Sequence, residues 1–238
     1  MWSPKSVVPA FRLLLNFCAA TEVIGVLGGR YARLGMFPYH AALLVHDWPY
    51  GGGTLVSEFF VLTCGHCVTR YDRMDCTVLL GVIDLKDING QTFLPKEFIP
   101  HPMYNNETND YDIGLIRLSR AAEINEFVQT IGMASANSTY YVGTLGHVCG
   151  HGVIDPYNTR QSCLKYAYVP IWDPNNCTSA IFSGITDHGM VCAGDDDGRN
   201  NPCKADSGGG LVVNHIHDLR RRSADVDGGR AKEILVDH

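Results

Sequence analysis

No stretch of this 238-residue sequence approaches the roughly 20 consecutive apolar residues that a membrane-spanning helix needs. Charge is scarce too. Only 18% of residues are Asp, Glu, Lys or Arg, the net charge is −6, and no basic stripe is present to attract nucleic acid. The short run Arg220-Arg221-Arg222 is offset by nearby aspartates. No long window sustains a 3.6-residue apolar period, which argues against a helical bundle, and no internal repeat suggests a solenoid. Apart from Cys64-Gly65-His66-Cys67, no Cys/His pair has the spacing of a zinc ligand set, so neither a metal nor another cofactor is expected.

Glycine, by contrast, is abundant at 25 residues, and cysteine at nine points to an oxidising compartment, with an odd thiol left over. Three sequons, beginning at Asn106, Asn137 and Asn176, fit a glycosylated protein on the secretory route. Lys5 and Arg12 precede Leu13-Leu14-Leu15-Asn16-Phe17-Cys18-Ala19-Ala20, a short apolar run ending in small residues. Residues 1–25 therefore read as a signal peptide and a short pro-segment. Apolar runs occur next at 39–45, 54–63, 77–85, 113–118, 164–171 and 210–213, bounded by Gly, Pro, Asn and Asp. Their length and composition predict strands, and so many short strands predict an all-β sandwich or barrel. Residues 175–182 suit a short helix. Residues 215–238 lack aromatics and mix charges of both signs, as a divergent, disordered tail would.

Three local patterns carry chemistry. Phe60-Val61-Leu62-Thr63-Cys64-Gly65-His66-Cys67 ends a strand in a histidine. Asn109-Asp110-Tyr111-Asp112-Ile113-Gly114-Leu115-Ile116 opens a strand with an aspartate, and Cys203-Lys204-Ala205-Asp206-Ser207-Gly208-Gly209 holds a serine in a glycine-rich loop. Each alone has an ordinary structural explanation. Together, in the order His66, Asp112, Ser207, they supply what acyl transfer needs. A hydroxyl attacks, an imidazole takes its proton, and a carboxylate fixes the imidazole tautomer. The pair Cys64 and Cys67 also spells a thiol-disulfide oxidoreductase motif. The chain after Cys67 reads as turn and strand, without the βα alternation that such a fold requires.

On these motifs the sequence resembles the chymotrypsin/trypsin-like serine proteases, and most closely their secreted insect members. The resemblance runs over residues 26–214. It includes Val26-Leu27-Gly28-Gly29, Phe37-Pro38-Tyr39, Gly52-Gly53-Thr54-Leu55, His101-Pro102-Met103-Tyr104 and Met190-Val191-Cys192-Ala193-Gly194. It implies two six-stranded antiparallel β-barrels with the site between them. It also implies a monomeric, secreted endopeptidase acting on polypeptides without a cofactor. The N–H groups of Ala205 and Ser207 would form the oxyanion hole. Val26 would be the mature N-terminus, freed by an activating protease and paired with Asp206, and Cys177 would bridge to Cys192.

The same resemblance marks departures. Ala205 stands where the family has glycine, and Gly51 where it has a cysteine bonded to the one after the histidine. Cys203 has no later cysteine to pair with, and Gly25 replaces the basic residue read by an activator. Asn201, six residues before Ser207 at the implied floor of the specificity pocket, is neutral and favours uncharged substrate side chains. The strands and helix implied after Asn214 are not recognisable, so the second barrel is expected to be incomplete. A catalytically impaired homologue serving as a binding or regulatory module is the competing reading.

Overall fold

The computed structural model describes residues 29–133, 141–153, 161–173, 191–194 and 202–213, together with the backbone of Lys232–Leu235. Among the described residues, apart from one 3₁₀ turn and one five-residue helix, α1 (Gly65–Thr69), the regular elements are β-strands. None of the described helices is long and apolar enough to cross a membrane.

The first sheet contains β2 (His40–Val45), β3 (Trp48–Ser57), β4 (Phe60–Thr63), β5 (Cys76–Leu80), β6 (Gln91–Phe93), β7 (Pro95–Pro100) and β8 (Gly114–Leu118). Its order is β6-β5-β2-β3-β4-β8-β7, and every pairing is antiparallel. The two edge strands, β6 and β7, are separated in the chain only by Leu94. One bent segment thus serves both edges, and the sheet must curl to let it. This reconciles seven strands with the six expected of a barrel. Closure also removes the exposed edge that an open sheet would present. Inside it lie Leu43, Leu55, Val61, Val78, Leu80, Phe93, Ile116 and Leu118, all essentially inaccessible to water.

The second sheet joins β1 (Arg30–Tyr31), β9 (Leu145–Gly150), β10 (Lys165–Pro170), β11 (Gly210–Val213) and β12 (Lys232–Leu235) in the order β1-β10-β9-β11-β12. The architecture is the all-β, trypsin-like double barrel. Val148, Ala167, Val169, Leu211 and Val213 pack in one cluster on this sheet. Phe37, Tyr39, Cys149, Leu164 and Val212 form another, towards the first barrel.

Three expectations are corrected in detail. The run 54–63 is not one strand, because Glu58 and Phe59 turn the chain between β3 and β4. The run 77–85 stops at Leu80, where Gly81 takes a φ of 77°, outside the strand region. Within the tail, Lys232–Leu235 forms β12 and pairs along all four residues of β11. The free backbone groups of a short apolar strand are a template for such pairing, whatever the charges on the added strand. The helix expected at 175–182 lies outside the described residues.

Candidate active site

The register of β4 against β8 sets the first half of the site. Thr63 pairs with Gly114 at the end of the two strands. The chain leaving β4 turns into α1 with His66 three residues on, and Asp112 sits two residues before Gly114. The side chains therefore meet. Asp112 Oδ1 accepts a hydrogen bond from the His66 backbone N–H at 2.6 Å, and its Oδ2 lies 2.6 Å from His66 Nδ1. The Asp112 side chain is 1% exposed and that of His66 is 26% exposed. This is a buried carboxylate orienting a half-open imidazole. Gly65 makes the approach possible, since a Cβ there would lie 2.9 Å from Asp112 Oδ1 and 2.8 Å from the Tyr104 ring.

Ser207 arrives from the other barrel. Its carbonyl accepts a hydrogen bond from the Gly52 N–H at 2.8 Å, tying the loop before β11 to β3. Gly208, with φ of 83°, lets this loop lie against Gly52 O and Thr63, where any side chain would collide. A cleft of about 1080 Å³ is lined by His66 and Ser207 together with Tyr50, Tyr104, Asn106, Lys204 and Ala205.

Within the cleft His66 Nε2 is not hydrogen-bonded to Ser207 Oγ. Its polar neighbour is Cys64 Sγ at 3.4 Å. Cys64 Sγ in turn lies 2.6 Å from Cys67 Sγ, and both cysteines are buried free thiols. The hydrogen bond to Asp112, then that to Cys64, push the His66 pKa up to about 10, against the opposing effect of burial. Burial is the main cause of a large upward shift for the Cys64 thiol. Sequence reasoning missed the Cys64–His66 contact, although the C-x-x-C spacing at a strand–helix junction was its visible signal.

Cys64, His66 and Cys67 are also the one group of three potential metal ligands among the described residues. Tetrahedral zinc, with Zn–S near 2.3 Å, holds two sulfurs roughly 3.8 Å apart. Sulfurs 2.6 Å apart are too close to share such an ion. An oxidoreductase role fits no better. A redox-catalytic cysteine needs an accessible thiol of lowered pKa, whereas Cys64 is buried and shifted upward, in an antiparallel β-fold.

Ala205 has a φ of 70°. A Cβ in the left-handed region costs about 1–2 kcal/mol, and glycine's extra unfolded-state freedom returns about 0.4–1 kcal/mol of that. Ala205→Gly should therefore raise stability by about 0.5–1 kcal/mol, read as a higher urea midpoint at unchanged slope. A lower midpoint would show that this backbone is not strained.

Asp206 is buried and accepts hydrogen bonds from the N–H groups of Gly152 (2.7 Å) and Cys203 (2.9 Å). Burial raises its pKa to about 6 despite both bonds, and among the described residues it has no ion-pair partner. Cys192 is disulfide-bonded, as is Cys163, whereas Cys203 is a free thiol. Asn106 is exposed on the rim of the cleft. Val26, Asn137, Asn176, Cys177 and Asn201 lie outside the described residues.

Comparison with known proteins gives the same outline. The family model for Trypsin matches residues 26–218. The chain is similar to transmembrane protease serine 5 of Homo sapiens, at 30% identity over 221 residues covering 89% of this chain and 48% of that protein. It is also similar to the trypsin of Simulium vittatum, at 29% identity over 194 residues covering 79% of this chain and 78% of that protein. The chain thus spans about half the length of the human relative.

Proposed function

We propose, from the premise that this chain belongs to the trypsin family, that it is a secreted serine endopeptidase cleaving polypeptides through an acyl-enzyme. The observation that carries the reading is the buried Asp112 carboxylate on His66 Nδ1, in a cleft shared with Ser207. Asp112 holds the tautomer in which Nδ1 carries a proton and Nε2 is the basic nitrogen. Ser207 Oγ attacks the substrate carbonyl as His66 Nε2 takes its proton. The N–H groups of Ala205 and Ser207 receive the developing oxyanion. His66 then passes the proton to the leaving amine, and water repeats the sequence to free the acid.

Turnover requires Nε2 to exchange Cys64 for Ser207. Activation would place the amine of Val26 beside Asp206. A buried carboxylate raised to about 6 is destabilising once charged, and a cation there would offset that cost. The family resemblance would set Asn201 at the pocket floor, where its neutral side chain would favour substrates with apolar or uncharged side chains. The protein would act as a monomer and glycans would stand at Asn106, Asn137 and Asn176.

Labelling with a fluorophosphonate tests this reading. The reagent should attach covalently to Ser207, identified by mass spectrometry, after cleavage before Val26. No adduct on Ser207 in the cleaved, folded chain would leave the protein a binding homologue of the family.

A further inference from the structure

Two thiols 2.6 Å apart beside the imidazole of a protease-like site have no part in acyl transfer. A sulfur–sulfur bond is about 2.05 Å long, so the pair needs to close by only about half an ångström. The surroundings leave Cys67 little alternative. A Cβ at Gly51 would already be 2.9 Å from Cys67 Sγ, and Ser207 O lies 3.7 Å from the same sulfur. Cys76 points elsewhere, its thiol donating to Asp72 O at 3.3 Å.

We propose that Cys64 and Cys67 form a reversible disulfide that gates the site, the dithiol holding His66 Nε2 on Cys64 and the disulfide releasing it to Ser207. This rests on the reading of His66 as the general base. In the dithiol, Cys64 Sγ is the polar neighbour of Nε2, and a nitrogen so engaged is not free to take the serine proton.

Closure is an exchange with a low-molecular-weight disulfide such as oxidised glutathione. One protein thiolate attacks, a mixed disulfide forms, and the second thiol displaces the remaining half. One S–S bond forms in the protein and one breaks in the oxidant. The two protons lost by Cys64 and Cys67 end on the two released thiols. The bridged Cys64 has no S–H to donate and no thiolate to attract a proton. It therefore ceases to be one of the groups that hold the imidazole protonated. Burial of both thiols makes the exchange slow and selective for small oxidants, as suits a switch more than a redox catalyst.

The test equilibrates the full chain in mixtures of reduced and oxidised glutathione, alkylates free thiols, and digests with trypsin. Arg33 and Arg70 bound one peptide carrying both cysteines and His66. In oxidising mixtures this peptide should carry neither alkyl group and weigh two hydrogens less than the unalkylated dithiol. Alkylation of both cysteines at every ratio, or a persistent glutathione adduct on either, would overturn the bridge.

Diethyl pyrocarbonate then reports on Nε2 without any need for turnover. Freed of a hydrogen bond of ordinary strength, His66 should be carbethoxylated about fivefold faster in the bridged form. Cys64→Ala should show the fast rate in both buffers. Equal wild-type rates in the two states would overturn the gate, including where the alanine variant does not fold. Fluorophosphonate labelling separates this inference from the protease reading. A bridge with faster carbethoxylation but no Ser207 adduct supports the switch and sinks the protease.

Discussion

Replacing Ser207 by alanine will abolish fluorophosphonate labelling and lower kcat/KM by about 10⁴–10⁶-fold, the range over which serine-protease nucleophiles and bases act as a unit. The change removes one oxygen from a half-buried residue, so stability should barely move. Gly52 bonds the Ser207 carbonyl, not its side chain. The whole effect therefore falls on chemistry. His66→Ala should cost about as much, and the double variant little more, since each alone disables the same step. The measurement is kcat/KM on peptide substrates, with the urea midpoint confirming the fold. Residual activity within tenfold of wild type would place the nucleophile elsewhere.

In the presence of reductant, kcat/KM will rise with pH through the alkaline range. In the proposed mechanism the base is neutral imidazole, and Asp112 first, then Cys64, hold the His66 pKa up to about 10. Below that value the neutral fraction changes tenfold per pH unit, so about 500-fold separates pH 7 from pH 10. A profile already flat between pH 7 and 9 would show that Cys64 and Asp112 do not hold the proton. The stability linkage has a definite sign. The folded pKa is raised above the ordinary 6.5. The His66–Asp112 contribution is therefore complete below about 6.5 and is lost as pH rises through about 10. Asp206 adds a lower window. Its raised pKa means that stability is complete below about 3.8 and lost as pH rises through about 6.

Much of this site was legible because the chemistry constrains residue order and local context. A histidine after an apolar strand and an aspartate before another become neighbours as soon as those strands pair. The pairing of Thr63 with Gly114 brings this about. The features that stayed hidden arose from less local causes. The turn at Glu58-Phe59 contains neither Gly nor Pro, so nothing in the run 54–63 announced it. Strand β9 was overlooked because Gly146, His147 and Gly150 dilute its apolar character. Its place comes from pairing with β10 along six residues. The charged pair Lys232-Glu233 concealed β12, which is recruited by the edge of β11. The contact of Cys64 with His66 depends on side-chain direction at a strand–helix junction, which spacing alone does not give.

The hydrogen bond from Gly52 N–H to the Ser207 carbonyl joins residues 155 positions apart in the chain. Contacts of such high sequence separation form late, after the local hairpins of each half have repaid their own loop-closure entropy. His66 and Asp112 can meet once the first barrel has formed, because β4 and β8 lie within it. Ser207 joins them only when the second half docks. During biosynthesis the nascent chain therefore carries an oriented imidazole but no assembled nucleophile. Under the proposed function, hydrolytic competence would be delayed until the rest of the protein is in place to be protected from it.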